Sequence, residues 1–104
     1  MNIDSAFDTD DAAGLLSLMA HEGRLRVFEL ITRNEWDVTS LAAAVNLSQS
    51  ALSQHLKKLR DAKVVDVRRD AQTLYYSCKS EAVAKILLTL SEIYGGATAL
   101  KSAA

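Results

Sequence analysis

Proline is absent from this 104-residue sequence, glycine occurs only four times, and cysteine once. With no proline, no Gly/Ser-rich stretch and no internal repeat, nothing divides the chain. At this length one domain with a single core, built from short consecutive elements, is expected. The lone cysteine, Cys78, can neither close an internal disulfide nor supply a cysteine-rich zinc site, which points to a reducing compartment. Apolar runs such as residues 86–88 fall far short of the roughly 20 residues of a membrane helix. The acidic opening MNIDSAFDTDD is unlike a secretory signal, so a cytoplasmic protein with no membrane partner is expected. There is no Gly-rich phosphate loop, and the serines and two separated histidines form no set of nucleophile, base and orienting group, so no enzyme is expected.

What is present is ordinary globular composition, 49% hydrophobic and 24% charged, which argues for a packed core over a disordered chain. A net charge of -1 argues at first against a nucleic-acid partner, but the charges are unevenly spread. Residues 1–47 hold three arginines against eight acids, whereas residues 48–79 hold seven Lys or Arg against Asp61, Asp66 and Asp70. The positive field therefore sits on one contiguous third of the chain; on charge alone, a solvated face would look the same.

Apolar spacing gives the elements. Residues 1–10 and 96–104 are expected to be flexible ends around one domain over residues 11–95. Asp10 or Asp11 can cap a helix over residues 12–20, with Ala12, Leu15, Leu16 and Met19 three and four apart. His21, Glu22 and Gly23 break the run before a second helix carrying Leu25, Phe28, Leu30 and Ile31 and ending near Arg33 or Asn34, its charged residues facing water. Asp37 or Thr39 caps a short third helix over residues 40–45, and Asn46, tolerant of left-handed backbone, turns the chain. A fourth helix over residues 48–62 follows after about three residues, the spacing of a helix-turn-helix. After Lys63 the period falls to two: Val65 and Val67, then Leu74 and Tyr76, alternate with polar residues around Asp70-Ala71-Gln72, which predicts a hairpin. Ser80 or Glu81 opens a last helix with Val83, Ile86, Leu87, Leu90, Ile93 and Tyr94 on one face, ended by Gly95-Gly96. The expected fold is mainly α with a small β-hairpin, in the order α-α-α-α-β-β-α.

On a wheel of 100 degrees per residue centred on Leu52, Leu56 and Leu59 fall within about 40 degrees, while Ser50, Gln54 and Lys57 fall on the opposite side. One face packs and the other is free to read. Ser and Gln side chains offer donors and acceptors that match base edges in the major groove of duplex DNA, and Lys57, Lys58 and Arg60 farther along can reach phosphates. An ordinary amphipathic surface helix is the competing reading; the short helix before it and the basic hairpin after it weigh against that.

The segment LSQSALSQHLKKLRDAKVVDVRRDAQTLYYS, residues 47–77, resembles the recognition helix and wing of ArsR-type bacterial repressors, and SQSALSQHL and RRDAQTLYYS resemble most closely the rhizobial nodulation repressor branch of that family. The resemblance covers about residues 12–94 in element order and implies a winged helix-turn-helix. By resemblance, Ser48, Gln49, Ser50, Ser53 and Gln54 sit in the major groove, and Arg69 and Gln72 lie on the wing near the adjacent backbone. Family members are homodimers joined through first and last helices. That fits the residues, because the stripes Leu15, Leu16, Met19 and Ile86, Leu90, Ile93 exceed what one small core can cover. Gly14 could permit close helix approach or be a merely tolerated glycine. A two-fold dimer would meet an imperfectly palindromic operator.

Departures from the family matter too. Many ArsR-type proteins sense metals through Cys-x-Cys near the third helix, yet residues 35–40, EWDVTS, have no cysteine. Others use acidic and histidine ligands on the last helix, where residues 80–94 offer Glu81 and Glu92 and no histidine. His21 in a turn and His55 beside the apolar stripe are expected to lie in different places, and Cys78 has no partner thiol in the chain. No metal and no cofactor are expected. The usual Asn-Pro before helix two is replaced by His21-Glu22-Gly23, which should change only the entry turn. The expected function is repression of transcription through sequence-specific DNA binding; a small-ligand- or thiol-responsive repressor and a winged-helix protein-interaction module are the alternatives.

Overall fold

Asp8 sets the first helix: its carboxylate accepts the Asp11 N–H (3.1 Å) and caps α1, Thr9–Met19, so the cap lies two residues before Asp10, the nearer of the two expected caps. The computed structural model describes residues 6–95; of the expected flexible ends, residues 1–5 and 96–104 lie outside that range, while Asp8 caps α1 and residues 9 and 10 belong to it. His21 does not merely break the chain. Its Nδ1 accepts the Gly23 N–H (3.0 Å) and caps α2, Glu22–Ile31. Gly23 is buried there, and a Cβ on it would lie 3.3 Å from the His21 ring and 3.4 Å from Leu47. An imidazole thus caps the helix at the entry turn formed by His21-Glu22-Gly23. α2 ends at Ile31, short of the expected Arg33, because Thr32 closes it with a hydroxyl bond to the Phe28 carbonyl.

Asp37 caps α3, Val38–Val45, through the Ser40 N–H (3.1 Å), and that bond holds its carboxyl below the usual range. Asn46 then adopts the left-handed conformation at φ 56. Ser48 caps α4, Gln49–Asp61, by accepting the Ala51 N–H (3.1 Å). Two strands follow, β2 Asp66–Asp70 and β3 Thr73–Ser77, turned by Ala71 and Gln72, with Asp70 opposite Thr73. Ser80 caps the last helix, α5, Glu81–Tyr94, through the Val83 N–H (3.2 Å).

The sheet has a strand that periodicity did not foretell. β1, Trp36–Asp37, pairs antiparallel with β3, so the order is β1-β3-β2, with Trp36 opposite Tyr76. A two-residue strand has no period to detect. The first hairpin strand also starts one residue after Val65, and all five of its residues are exposed, Val67 among them. It is an edge strand with no layer beneath it.

All the helices feed one core. Met19 of α1 meets Val27, Phe28 and Ile31 of α2, Leu41, Ala42 and Val45 of α3, Leu52, Leu56 and Leu59 of α4, and Val83 of α5, with Tyr76 and Cys78 from the sheet side. Each fully buried Leu, Val or Phe contributes about 1.5–3 kcal/mol of transfer free energy. The Cys78 N–H donates to the Ile31 carbonyl (2.9 Å), tying the end of β3 to the end of α2.

Candidate nucleic-acid interface

α3, the left-handed turn at Asn46 and α4 form a helix-turn-helix whose second helix is held from one side only. Leu52, Leu56 and Leu59 are buried, whereas Gln49, Ser50, Ser53, Gln54, Lys57 and Lys58 are exposed. The wheel read from sequence is therefore the wheel of the structure. The Ser48 oxygen is occupied as a cap, leaving its hydroxyl hydrogen available to donate. Lys57 Nζ sits 2.9 Å from Asp61 Oδ2, both side chains well exposed, so this pair is weak and can be exchanged for a phosphate. The two hairpin arginines are not equivalent. Arg68 donates from Nε and Nη2 to the Glu35 carboxylate at 2.9–3.1 Å, with its guanidinium carbon 4.7 Å over the Tyr75 ring. Those bonds hold the Glu35 carboxyl below the usual range and push the Arg68 guanidinium up. Arg68 is thus a brace fixing the hairpin to the β1 side. Its neighbour Arg69 is exposed and makes no ion pair among the described residues, and Gln72 is exposed at the hairpin turn. Arg60 Nη1 lies 3.4 Å from the Tyr76 hydroxyl, linking the end of α4 to β3.

Comparison with known proteins bears on this arrangement. The model of the bacterial regulatory protein arsR family matches residues 21–67. The nodulation protein NolR of Rhizobium meliloti is 55% identical over 91 residues, covering 88% of this chain and 75% of that protein. The transcriptional activator HlyU of Vibrio cholerae is 41% identical over 83 residues, 80% of this chain and 77% of that one. Among solved structures, NolR from Sinorhizobium fredii superimposes with a TM-score of 0.81 at 51% identity, covering 93% of this chain and all of the other. The chain belongs to the arsR family of bacterial regulatory proteins. It is a winged helix-turn-helix regulator of transcription that works on DNA, the three-stranded sheet being its wing.

Away from the exposed polar face of α4, this arsR-family chain leaves apolar surface open. Leu16 is 53% exposed, Leu88 56%, Ile93 62% and Tyr94 81%. A shallow groove of about 330 Å³ runs between α2 and α5, lined by Leu25, Glu29, Leu87, Leu90 and Tyr94. Leu15, Ile86 and Leu90 are half-buried. Met19, grouped with them from sequence, is corrected: it is 2% exposed and belongs to the chain's own core, because α1 turns that position inward against α2. Gly14 has nothing within 4 Å of where its Cβ would be. Among the described residues no three His, Cys, Asp or Glu side chains converge, and no helix is long and apolar enough to cross a membrane.

The histidines require a second correction. They were expected apart, but the His21 and His55 rings lie 4.5 Å between centroids, inclined at 57°. His21 at the start of α2 thus meets His55 in the middle of α4, and Arg24, expected to face water, is half-buried with its Nη1 3.5 Å from His55 Nδ1. No local spacing reveals a contact 34 residues long.

Proposed function

We propose that this chain is a repressor that binds an imperfectly palindromic operator in duplex DNA as a homodimer in the cytoplasm, without a metal, another cofactor or catalytic activity. The observation that carries it is the exposed polar face of α4: Ser50 and Gln54 opposite a fully buried leucine stripe, directly after the left-handed turn, with cations farther along. In this reading Ser48, Gln49, Ser50, Ser53 and Gln54 enter the major groove, while Lys57, Lys58, Arg69 and Gln72 hold the backbone. Exposed Leu16 and Ile93, with half-buried Leu15, Ile86 and Leu90, the last of them lining the α2–α5 groove, support pairing of two copies through α1 and α5. Two-fold pairing would offer two reading helices to half-sites about 34–36 Å apart. Repression then follows from occlusion of the site by a bound dimer.

The test separates reading from holding. Gln54→Ala or Ser50→Ala should cost about 1–3 kcal/mol on a duplex selected by the protein and little on random duplex, since only the specific complex loses a satisfied pair. Lys57→Ala or Arg69→Ala should weaken both duplexes alike and reduce the slope of log affinity against log salt by roughly one. An unchanged ratio of selected to random binding in both Gln54→Ala and Ser50→Ala would sink this placement of the reading face.

A further inference from the structure

Three helices meet at Arg24. It stands in the first turn of α2, its Nε donates to the Leu18 carbonyl near the end of α1 (2.6 Å), and its Nη1 lies 3.5 Å from His55 Nδ1 on α4. The His55 ring in turn rests against His21, whose Nδ1 accepts the Gly23 N–H that caps α2. Both contacts demand the same protonation state. A guanidinium only donates, so His55 Nδ1 must present a lone pair to Arg24, and His21 Nδ1 must present one to the backbone. An added proton converts each acceptor into a donor facing a donor. The charged and titratable groups acting on His55 are His21 and Arg24 from the α2 side and Lys58 on its own helix; each is positive or becomes so on protonation. No carboxylate is among them.

We propose that Arg24 and the His21–His55 pair form a proton-sensitive joint that seats the reading helix against α1 and α2, so that acidification releases operator DNA. This rests on α4 being the helix that reads DNA. Arg24 is here a positioning residue, acting through His55. Burial first, and then the neighbouring His21, Arg24 and Lys58, hold the His55 imidazole below its ordinary 6.5. The sign follows: the unfolded or unseated helix binds the proton more readily, so the stabilisation is complete above 6.5 and is lost as pH falls through the lower, seated value. A histidine that instead touched phosphate would act oppositely, tightening DNA on acidification.

The experiment uses the full chain and a fluorescein-labelled 20-base-pair duplex that the protein selects from a randomised library at pH 7.5. Affinity is read by anisotropy from pH 8 to 5.5 at constant ionic strength, with far-UV circular dichroism at each pH. Wild type should lose about tenfold in affinity between pH 7.5 and 5.5 while its helix content holds. The double variant His21→Asn/His55→Asn keeps side-chain acceptors and cannot titrate, so it should bind as wild type at pH 7.5 and stay flat. Arg24→Ala should be weak and flat throughout, with Arg24→Lys recovering part of the loss. Tightening on acidification, or an equal pH dependence in the double Asn variant, would overturn the joint. A chain that selects no duplex at pH 7.5 refutes the DNA reading instead. The joint is then judged by thermal midpoint: a midpoint that falls below pH 6.5 in wild type alone supports it, and parallel midpoints overturn it.

Discussion

Cys78 shows how a side chain's surroundings decide its chemistry. Its thiol is buried, donates to the Val64 carbonyl (3.2 Å), and is pushed above the ordinary thiol value, chiefly by burial. A thiolate is the reactive species, so native Cys78 should react with a maleimide or disulfide reagent at least on the order of tenfold more slowly than the unfolded chain at pH 7.5. Cys78→Ser should leave DNA binding insensitive to peroxide, as in wild type; peroxide-sensitive binding abolished by that change would establish a thiol switch between subunits. Met19 and Leu16 make a second contrast, three residues apart on one helix. Met19→Ala should cost about 2–5 kcal/mol in chemical unfolding because it opens a cavity in the core, whereas Leu16→Ala should cost far less within one subunit, since Leu16 is 53% exposed.

The elements most legible in the sequence were those with enough turns to show a period and a cap to mark their start. α4 is the clearest case: its leucine stripe and polar face stand as the spacing implies, and Ser48, read as its first residue, caps it. α5 is equally plain between Ser80 and Gly95. The shortest element left no such mark. β1 is two residues, Trp36 and Asp37, and exists because β3 offers it an edge, which is a tertiary fact. The Glu35–Arg68 brace and the contact of His21 with His55 are long-range pairings of the same kind, set by how elements cross and invisible to any local window. Asn46 lies between the two cases: its residue type signalled a turn, and the structure puts it at φ 56 between α3 and α4. Asn46→Val should therefore destabilise by about 1–2 kcal/mol and loosen the helix-turn-helix, while Asn46→Gly should be nearly neutral; equal unfolding free energies for the two variants would remove the left-handed turn from the account.

At the scale of the whole molecule, one end is polar and basic and the other is apolar. If the apolar end pairs two copies, Ile93→Asp, at a position already 62% exposed, should yield a folded monomer in sedimentation. Operator affinity should fall by about two orders of magnitude, the avidity of a second tethered half-site. Unchanged mass and unchanged binding would place the interface elsewhere. The chain's single tryptophan stands on β1. The Trp36 indole N–H is buried and has no acceptor among the described residues, and its strand lies beside Tyr76, the residue that Arg60 reaches from the end of α4. A buried donor left unpaired costs about 1–3 kcal/mol, which favours any shift that lets water in. The protein thus carries an unlabelled fluorophore in β1, beside the strand that Arg60 of α4 reaches. When a duplex draws the hairpin across its backbone, the emission of this one indole should move to the red or lose intensity, reporting occupancy by light that the regulator itself emits.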